Sequence, residues 1–557
     1  MPTLQFKGKN IIWNHHLSIP FHTLDEVSKL NFQADKGDGN LIIEGDNLLA
    51  LKALLPQYAG KIKCIYIDPP YNTGNDSGNG RGWIYSDNVN SPLIREWIKK
   101  EVGIEDLSRS DKWLCMMVCR LKLLRDLLSD EGVLLISIDD NEISSLLQIL
   151  NEIFGDQKHL GTFVWRRRIG SSLASSWFSA DHEYVIAYSK TPDKIMILGD
   201  ERDMSKYSAP DGKGGFYASM PLTVGMNRKM RPNQWYELKH PKTGTGYYPP
   251  EGRVWCYYPP TMEQKITENK IIWPEDYPDK KLNTPRLKSY PEDAKRERKP
   301  LSSWIFEKNV TAVGDEDNTS ISSAKNEEGS RILKDLLGES GFNFPKPLSL
   351  LLGLLRQFTN DNDIILDSFA GSGTTMHAVM DLNKEDGGNR KCIMVQMTEA
   401  TEQEPKKNIC KDITRERVKR AIEKYGYKSG FKYLRVGDPI DAETLLSGTL
   451  PTYKQFAKYV YYLCTGGYLQ DESSIDEKTY FVGMHKKEAI YLIYKKDYDT
   501  LTRLALNLPI AEKILKDQKD KKVIVYAPAC FLDEEYLEAK NMEFVGIPYN
   551  LFRRNGQ

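Results

Sequence analysis

The sequence predicts an α/β protein whose main sheet is assembled from two separated stretches of chain. Three observations carry this reading. An apolar strand, Cys64-Ile65-Tyr66-Ile67, ends abruptly in Asp68-Pro69-Pro70-Tyr71. A buried strand stops in this way at the carboxyl edge of an α/β sheet, the edge where such sheets place ligands. A second apolar strand, Ile364-Ile365-Leu366, runs into the turn Asp367-Ser368-Phe369-Ala370-Gly371-Ser372-Gly373-Thr374-Thr375 ahead of a helix beginning near Met376. Between the two, from about 191 to 340, helical periodicity fades while prolines, glycines and aromatics rise, the texture of an insertion.

In chain order, residues 41–47 read as a strand and a turn, with Asp46 or Asn47 capping a helix that carries Leu48, Leu49, Leu51, Leu54 and Leu55. The Asp68 strand follows and completes a β-α-β unit. From Asn72 to about Asn90 the chain is rich in Gly, Asn and Ser, in the position of a lid or substrate-gripping loop. Residues 113–128 have helical spacing and lead through Ser129-Asp130-Glu131-Gly132 into a strand over 133–138. Asp139-Asp140-Asn141 open the helix 143–154, and strands over 162–165 and 184–188 flank a polar connection at 166–172. The alternation is the one a parallel sheet requires. Residues 348–355 read as a buried helix, 391–396 as the strand after the glycine turn, and 412–424 as a basic helix. Strands at 480–482 and 522–526 stand out near the end. The predicted domains are 1–190, 191–340, 341–440 and 441–557, the last an α/β accessory domain.

Composition sets bounds on this plan. At 557 residues there is room for about three or four domains, each with its own core. Lys plus Arg equals Asp plus Glu at 77 each, so a polyanion partner must be met by local basic patches. Such a patch lies in the insertion: Arg228, Lys229 and Arg231 stand beside Trp235 and Tyr236, and Tyr247, Tyr248, Trp255, Tyr257, Tyr258 and Trp273 follow. Lys280, Lys281, Arg286, Lys288, Lys295, Arg296 and Arg298 extend it. Basic groups between aromatics can neutralise phosphates and stack on bases, and the same aromatics can equally form the core of a β-rich domain. The eight cysteines form no CxxC pair or Cys/His cluster, which points to a reducing cytoplasm and away from zinc sites or disulfides. The first residues lack the apolar core of a signal peptide, and no apolar run approaches ~18 residues.

The chemistry follows from the residues at the two strand ends. The prolines fix φ and donate no hydrogen bond, so the backbone after Asp68 is stiff and the Pro69 carbonyl is free to accept one from outside. Asp68 supplies a second acceptor and Tyr71 a flat face, a set that suits an exocyclic amino group on a heterocycle. At the other strand end, a phosphate loop would need a Lys before the Thr, and a dinucleotide fingerprint a third glycine; neither is present. The remaining reading is a turn for an adenosine-containing cofactor without a phosphate chain, of which S-adenosylmethionine is the common one. Gln396 stands where a ribose partner is expected, usually an acid, with Glu399 three residues on as a substitute.

With Asp68-Pro69-Pro70-Tyr71-Asn72-Thr73-Gly74 early and Phe369-Ala370-Gly371-Ser372-Gly373 late, the chain resembles the β class of amino-methylating DNA methyltransferases, most of all the modification (Mod) subunits of type III restriction-modification systems. Glu44-Gly45-Asp46-Asn47-Leu48-Leu49-Ala50-Leu51, the 130–140 stretch, Phe342-Asn343-Phe344-Pro345-Lys346-Pro347 and residues 523–532 are similar to that family as well. The resemblance implies a seven-stranded, Rossmann-like methyltransferase sheet, permuted in sequence order, with the 191–340 insertion as target-recognition domain. It implies transfer of a methyl group from S-adenosylmethionine to the amino group of adenine in double-stranded DNA. The base would be flipped out and stacked on Tyr71, and Asp68 with the Pro69 carbonyl would hold its amino nitrogen. No metal or covalent intermediate is needed. Around the cofactor it places Asp367, Phe369, Gly371, Gly373 and Thr374 at the methionine portion, Asp46 near the adenine ring, Phe344 and Lys346 at the pocket wall, and Gln396 at the ribose.

The alternatives are a cytosine N4 methyltransferase, disfavoured by Asp rather than Ser at 68, an enzyme of RNA or protein amides, and a specificity subunit without activity. The resemblance further implies a homodimer and a helicase-nuclease (Res) partner, and no membrane association.

Overall fold

The computed structural model describes residues 3–36, 39–72, 109–169, 178–200, 204–276, 282–293, 298–307, 321–338, 342–400, 404–447, 449–518 and 521–547. Most of the loop expected at 72–90, residues 170–172 of the polar connection, and Lys280, Lys281, Lys295 and Arg296 lie outside them. The chain divides into two compact units, one of residues 1–198, 302–311 and 319–557, the other of 199–301 and 312–318.

The first unit is built on an eleven-stranded sheet in the order Phe21–Glu26, Lys432–Ile440, Leu41–Glu44, Lys391–Gln396, Ile364–Asp367, Ile62–Ile67, Leu128–Ile138, His182–Ser189, His159–Arg166, Trp304–Glu307, Ser322–Ser323. All six residues of the Ile62–Ile67 strand are buried, as a strand covered on both faces requires. Its neighbour is Ile364–Asp367, in parallel register with Ile365 beside Cys64 and Leu366 beside Ile65. The two strands that carry the sequence signals are therefore adjacent, and both chemical turns leave the same edge.

Two expectations are corrected. Ser129-Asp130-Glu131-Gly132, read as the lead into a strand over 133–138, is itself part of that strand, Leu128–Ile138, whose register shifts beside Ile62 and Cys64. A Cβ at Gly132 would lie 2.7–2.9 Å from the Leu128 side chain and the Ile62 carbonyl, so the close approach of the strands explains the glycine. The sheet is mixed rather than parallel, because His182–Ser189 pairs antiparallel with both Leu128–Ile138 and His159–Arg166. Ahead of them in the chain, Phe21–Glu26 forms an edge strand antiparallel to Lys432–Ile440.

The helix Asn47–Tyr58 is capped by Asp46, whose carboxylate accepts from the Leu48 amide at 2.7 Å. Residues after 441 do not stand apart. The helix Tyr453–Thr465 buries Phe456, Tyr459 and Val460 in one continuous core with Leu51, Leu54 and Leu55. Beyond it lies a four-stranded sheet in the order Phe481–His485, Glu488–Leu492, Lys522–Ala527, Met542–Gly546. Among the described residues no helix is long and apolar enough to cross a membrane.

The second unit has a four-stranded antiparallel sheet of Ile271–Ile272, Arg286–Ser289, Phe216–Pro221 and Ala209–Pro210. Its core is Leu222, Leu238, Trp255, Met262, Ile271 and Trp273, with Tyr236, Tyr247 and Tyr257 packed on it. Most of the insertion's aromatics are thus structural. Trp235 and Tyr248 differ: their rings lie 4.9 Å apart, the Arg228 guanidinium sits 5.4 Å from the Trp235 ring, and Arg228, Lys229 and Arg231 are exposed.

Candidate active site

The two strand ends share one cavity of about 570 Å³. Its lining includes Asp68, Pro69, Pro70 and Tyr71 from one side, and Asp367, Phe369, Gly371, Thr374 and Gln396 from the other. Phe344, Lys346 and Glu399 complete the predicted set. Two predicted residues do not line it. Gly373, with φ of +83°, is the N-cap of the helix Thr374–Asp386 and shapes the turn from behind. Asp46 is used by the Leu48 amide and by Arg120, 3.2 Å away.

On the Asp68 side the side chains interlock. The Tyr71 hydroxyl donates to Asp68 Oδ1 at 2.7 Å. Lys346 Nζ lies 3.0 Å from the same oxygen, donates to the Tyr71 hydroxyl at 2.7 Å and to Glu183 Oε2 at 3.1 Å. Arg167 pairs with the other oxygen of Glu183 at 3.1 Å. Burial, reinforced by the negative charge of Glu183, holds the Asp68 carboxyl above the ordinary range, against the opposing pull of Lys346 and Tyr71. Burial works against the Lys346 ammonium, but the charges of Asp68 and Glu183 outweigh it and raise its pKa.

The backbone of the motif is pinned from outside. Trp113, fully buried, donates from Nε1 to the Pro70 carbonyl at 2.6 Å. Asn72, in a left-handed conformation, donates to the buried Glu142. The Pro70 carbonyl is thus taken by Trp113, and among the described residues none donates to the Pro69 carbonyl.

On the glycine side, Gly371 and Gly373 both have positive φ, +52° and +83°. A Cβ on Gly371 would meet the Phe342 ring at 3.2 Å, and one on Gly373 the Thr414 carbonyl at 3.1 Å. Thr414 also donates to the Gly371 carbonyl at 2.6 Å, and the buried Arg417 donates to Ser372 and Thr374 at 2.7 and 2.6 Å. Asp367 is 2% exposed, and burial pushes its carboxyl up to about 7, against hydrogen bonds from Thr375 and the Phe369 amide. Gln396 Oε1 accepts from the Gly371 amide at 2.7 Å, and its nitrogen donates to Glu399 at 3.1 Å. The amide thus braces the turn and the acid. Phe344 is 80% exposed at the cavity wall with φ of +55°.

Sequence reasoning missed Glu183, Arg167, Trp113 and Arg417. Glu183 carried one signal, a charged residue directly before the strand residues at 184–188. The others reach the site through pairings that no local pattern encodes. Lys346 was expected at the cofactor wall. Its carbonyl does lie 3.4 Å from Thr374 Oγ1, but its ammonium is with Asp68.

The chain is 31% identical over 440 residues to the StyLTI Mod subunit, a type III restriction-modification enzyme subunit of Salmonella typhimurium, covering 74% of this chain and 63% of that one. It therefore spans less than two thirds of that relative's length. It is 29% identical to the EcoPI Mod subunit of Escherichia phage P1, covering 79% of this chain and 72% of that one. It is also 29% identical to the type II methyltransferase M.KpnI of Klebsiella pneumoniae, covering 67% and 84%. The sequence pattern of the DNA methylase family matches residues 62–423, from the strand before Asp68 to the helix behind the glycine turn. With well over half of its length matched and both strand ends on one cavity, the chain belongs to the DNA methylase family.

Proposed function

We propose that the protein methylates the exocyclic amino group of adenine in double-stranded DNA, using S-adenosylmethionine, as the modification and specificity subunit of a type III restriction-modification system. The observation that carries this is the shared cavity, with an amino-binding acceptor pair on one strand end and a glycine turn on the next. The names of the Mod relatives, each a subunit of a type III restriction-modification enzyme, support the system, and a helicase-nuclease (Res) subunit is the partner this reading expects.

The residues fit the cofactor. The cavity volume lies within the ~300–1,000 Å³ of small-molecule sites. Asp367 and Glu399 give it carboxylates suited to a cation, and the Gly371 turn lets the backbone approach closely. Asp367, Phe369, Gly371 and Thr374 would hold the methionine portion, Glu399 braced by Gln396 the ribose, and Phe344 an apolar wall. When bound, S-adenosylmethionine supplies a methyl carbon activated by a sulfonium leaving group.

The protein's own part is positioning and electrostatics. The adenine amino lone pair is delocalised into the ring. Hydrogen bonds from that group to Asp68 and the Pro69 carbonyl favour a pyramidal nitrogen with a localised pair. Asp68 then lies beside the nitrogen as it sheds its proton. Tyr71 offers its ring to the flipped base, worth roughly 1–3 kcal/mol of stacking. Asp at 68, where cytosine enzymes of the class have Ser, favours adenine.

We assign the family's seven-stranded, permuted sheet to the seven contiguous strands from Leu41–Glu44 to His159–Arg166, with two additions at each edge. The unit at 199–301 serves as the target-recognition domain, its exposed Arg228, Lys229 and Arg231 beside Trp235 forming the phosphate-binding face. A homodimer in a reducing cytoplasm completes the proposal. Incubation with S-adenosylmethionine and DNA from a host lacking the gene tests the core of it: N6-methyladenine is expected at one short sequence, and its absence rejects the reading.

A further inference from the structure

The Lys346 ammonium occupies the carboxylate acceptor that the proposed function reserves for the amino group of the target base. It lies 3.0 Å from the acceptor Asp68 Oδ1 and, bonded to the Tyr71 hydroxyl at 2.7 Å, 4.8 Å from the centre of that ring, beyond its hydroxyl edge. An ammonium has three protons, and Asp68, Tyr71 and Glu183 take all three. Glu183 is 3% exposed and anchored from behind by Arg167 at 3.1 Å. It is a fixed second carboxylate on the wall of the same cavity, 3.2 Å from the Tyr71 hydroxyl.

We propose that Lys346 is a stand-in for the target amino group, filling the seat at Asp68 while no base is present and withdrawing onto Glu183 when one enters. Glu183 is then a positioning residue that sets how readily the seat is vacated. This rests on the adenine reading of the site. The charges make the exchange feasible. An empty seat with Asp68 and Glu183 both ionised would leave two buried carboxylates facing each other, which is costly. One cation serves both, and the neutral amino group replaces only its Asp68 contact, while the Glu183 contact remains.

Asp68 is faced by Tyr66 and Tyr71 on its own segment, Lys346 from the 342–347 stretch, Glu183 from the His182–Ser189 strand and Asp367 from the adjacent strand, with Arg167 and Asp139 further along the cavity. Removing Lys346 alone therefore disfavours ionised Asp68, and removing Glu183 alone favours it while leaving Lys346 bound to Asp68 without a competitor.

The test is single-turnover methylation of genomic DNA from a strain lacking the gene, with radiolabelled S-adenosylmethionine, across pH. Glu183→Gln should lower the plateau rate by roughly tenfold and shift the acid limb to lower pH. Lys346→Met should shift the acid limb upward, and the double variant should exceed both single variants at neutral pH. A purely structural role would lower the melting temperature without moving the acid limb. An unmoved limb in Glu183→Gln, or a double variant no faster than either single one, overturns the proposal. Should Lys346→Met fail to fold, the opposed changes in Glu183→Gln decide alone. Failure of the adenine reading is distinct, because the wild-type protein would then make no N6-methyladenine.

Discussion

Replacing Gly373 by alanine tests how the turn supports the cavity without touching its lining. At φ of +83° an alanine pays about 1–2 kcal/mol for the left-handed conformation. The new Cβ would also stand 3.1 Å from the Thr414 carbonyl and 3.3 Å from its methyl, so Thr414 must retreat. That residue holds the Gly371 carbonyl at 2.6 Å, and its movement drags the turn. Together the terms reach about 2–3 kcal/mol. If the strain is relieved by moving the turn, S-adenosylmethionine affinity falls roughly 30- to 140-fold at 1.4 kcal/mol per tenfold. Gly387→Ala is the control: it has the same strain, φ of +76°, at the far end of the same helix, with nothing within 4 Å of the new Cβ. It should cost stability and leave affinity unchanged. Calorimetric titration with the cofactor and thermal melts of both variants are the assay. Unchanged affinity and melting in Gly373→Ala would refute the reasoning.

Two further predictions concern charge. Asp367 sits at about 7 in the fold against an ordinary value near 3.8, so the folded chain keeps a proton that the unfolded chain releases between these values. Its contribution therefore favours the fold below about pH 4 and is lost as pH rises to about 7, by a few kcal/mol at most, on the order of 1.4 per unit. Asp367→Asn should flatten that slope in melts between pH 5.5 and 8, and parallel curves would contradict it. In the second unit, the double substitution Arg228→Ala/Lys229→Ala should weaken DNA binding and reduce the slope of log affinity against log salt by about 2. Anisotropy titrations at several salt concentrations measure it, and an unchanged slope would remove this face from the interface.

Legibility in the sequence followed locality. The strands at 64–67 and 364–366 and their turns were readable because apolar runs, prolines and glycines act within a few residues. Their adjacency rested on family resemblance, since nothing local joins Cys64 to Ile365. The 129–132 stretch misled because its polar residues lie on a strand whose close approach to Ile62 appears only in register. Asp46 was legible as a cap and proved to be one, with Arg120 as a partner 74 residues away. Glu183 and Arg167 were invisible as site members for the same reason: their roles come from the cross-strand ion pair and from Lys346, 163 residues further on. In the insertion, composition could not separate core aromatics from surface ones; Trp255 and Trp273 are buried, while Trp235 sits beside an exposed guanidinium.

The central claim is that Asp68 and its cavity methylate the adenine amino group. Mass spectrometry of nucleosides from DNA incubated with the protein and S-adenosylmethionine measures this most directly. The account predicts N6-methyladenine with the wild-type chain and none with Asp68→Ala. N4-methylcytosine, or N6-methyladenine undiminished in Asp68→Ala, would contradict it.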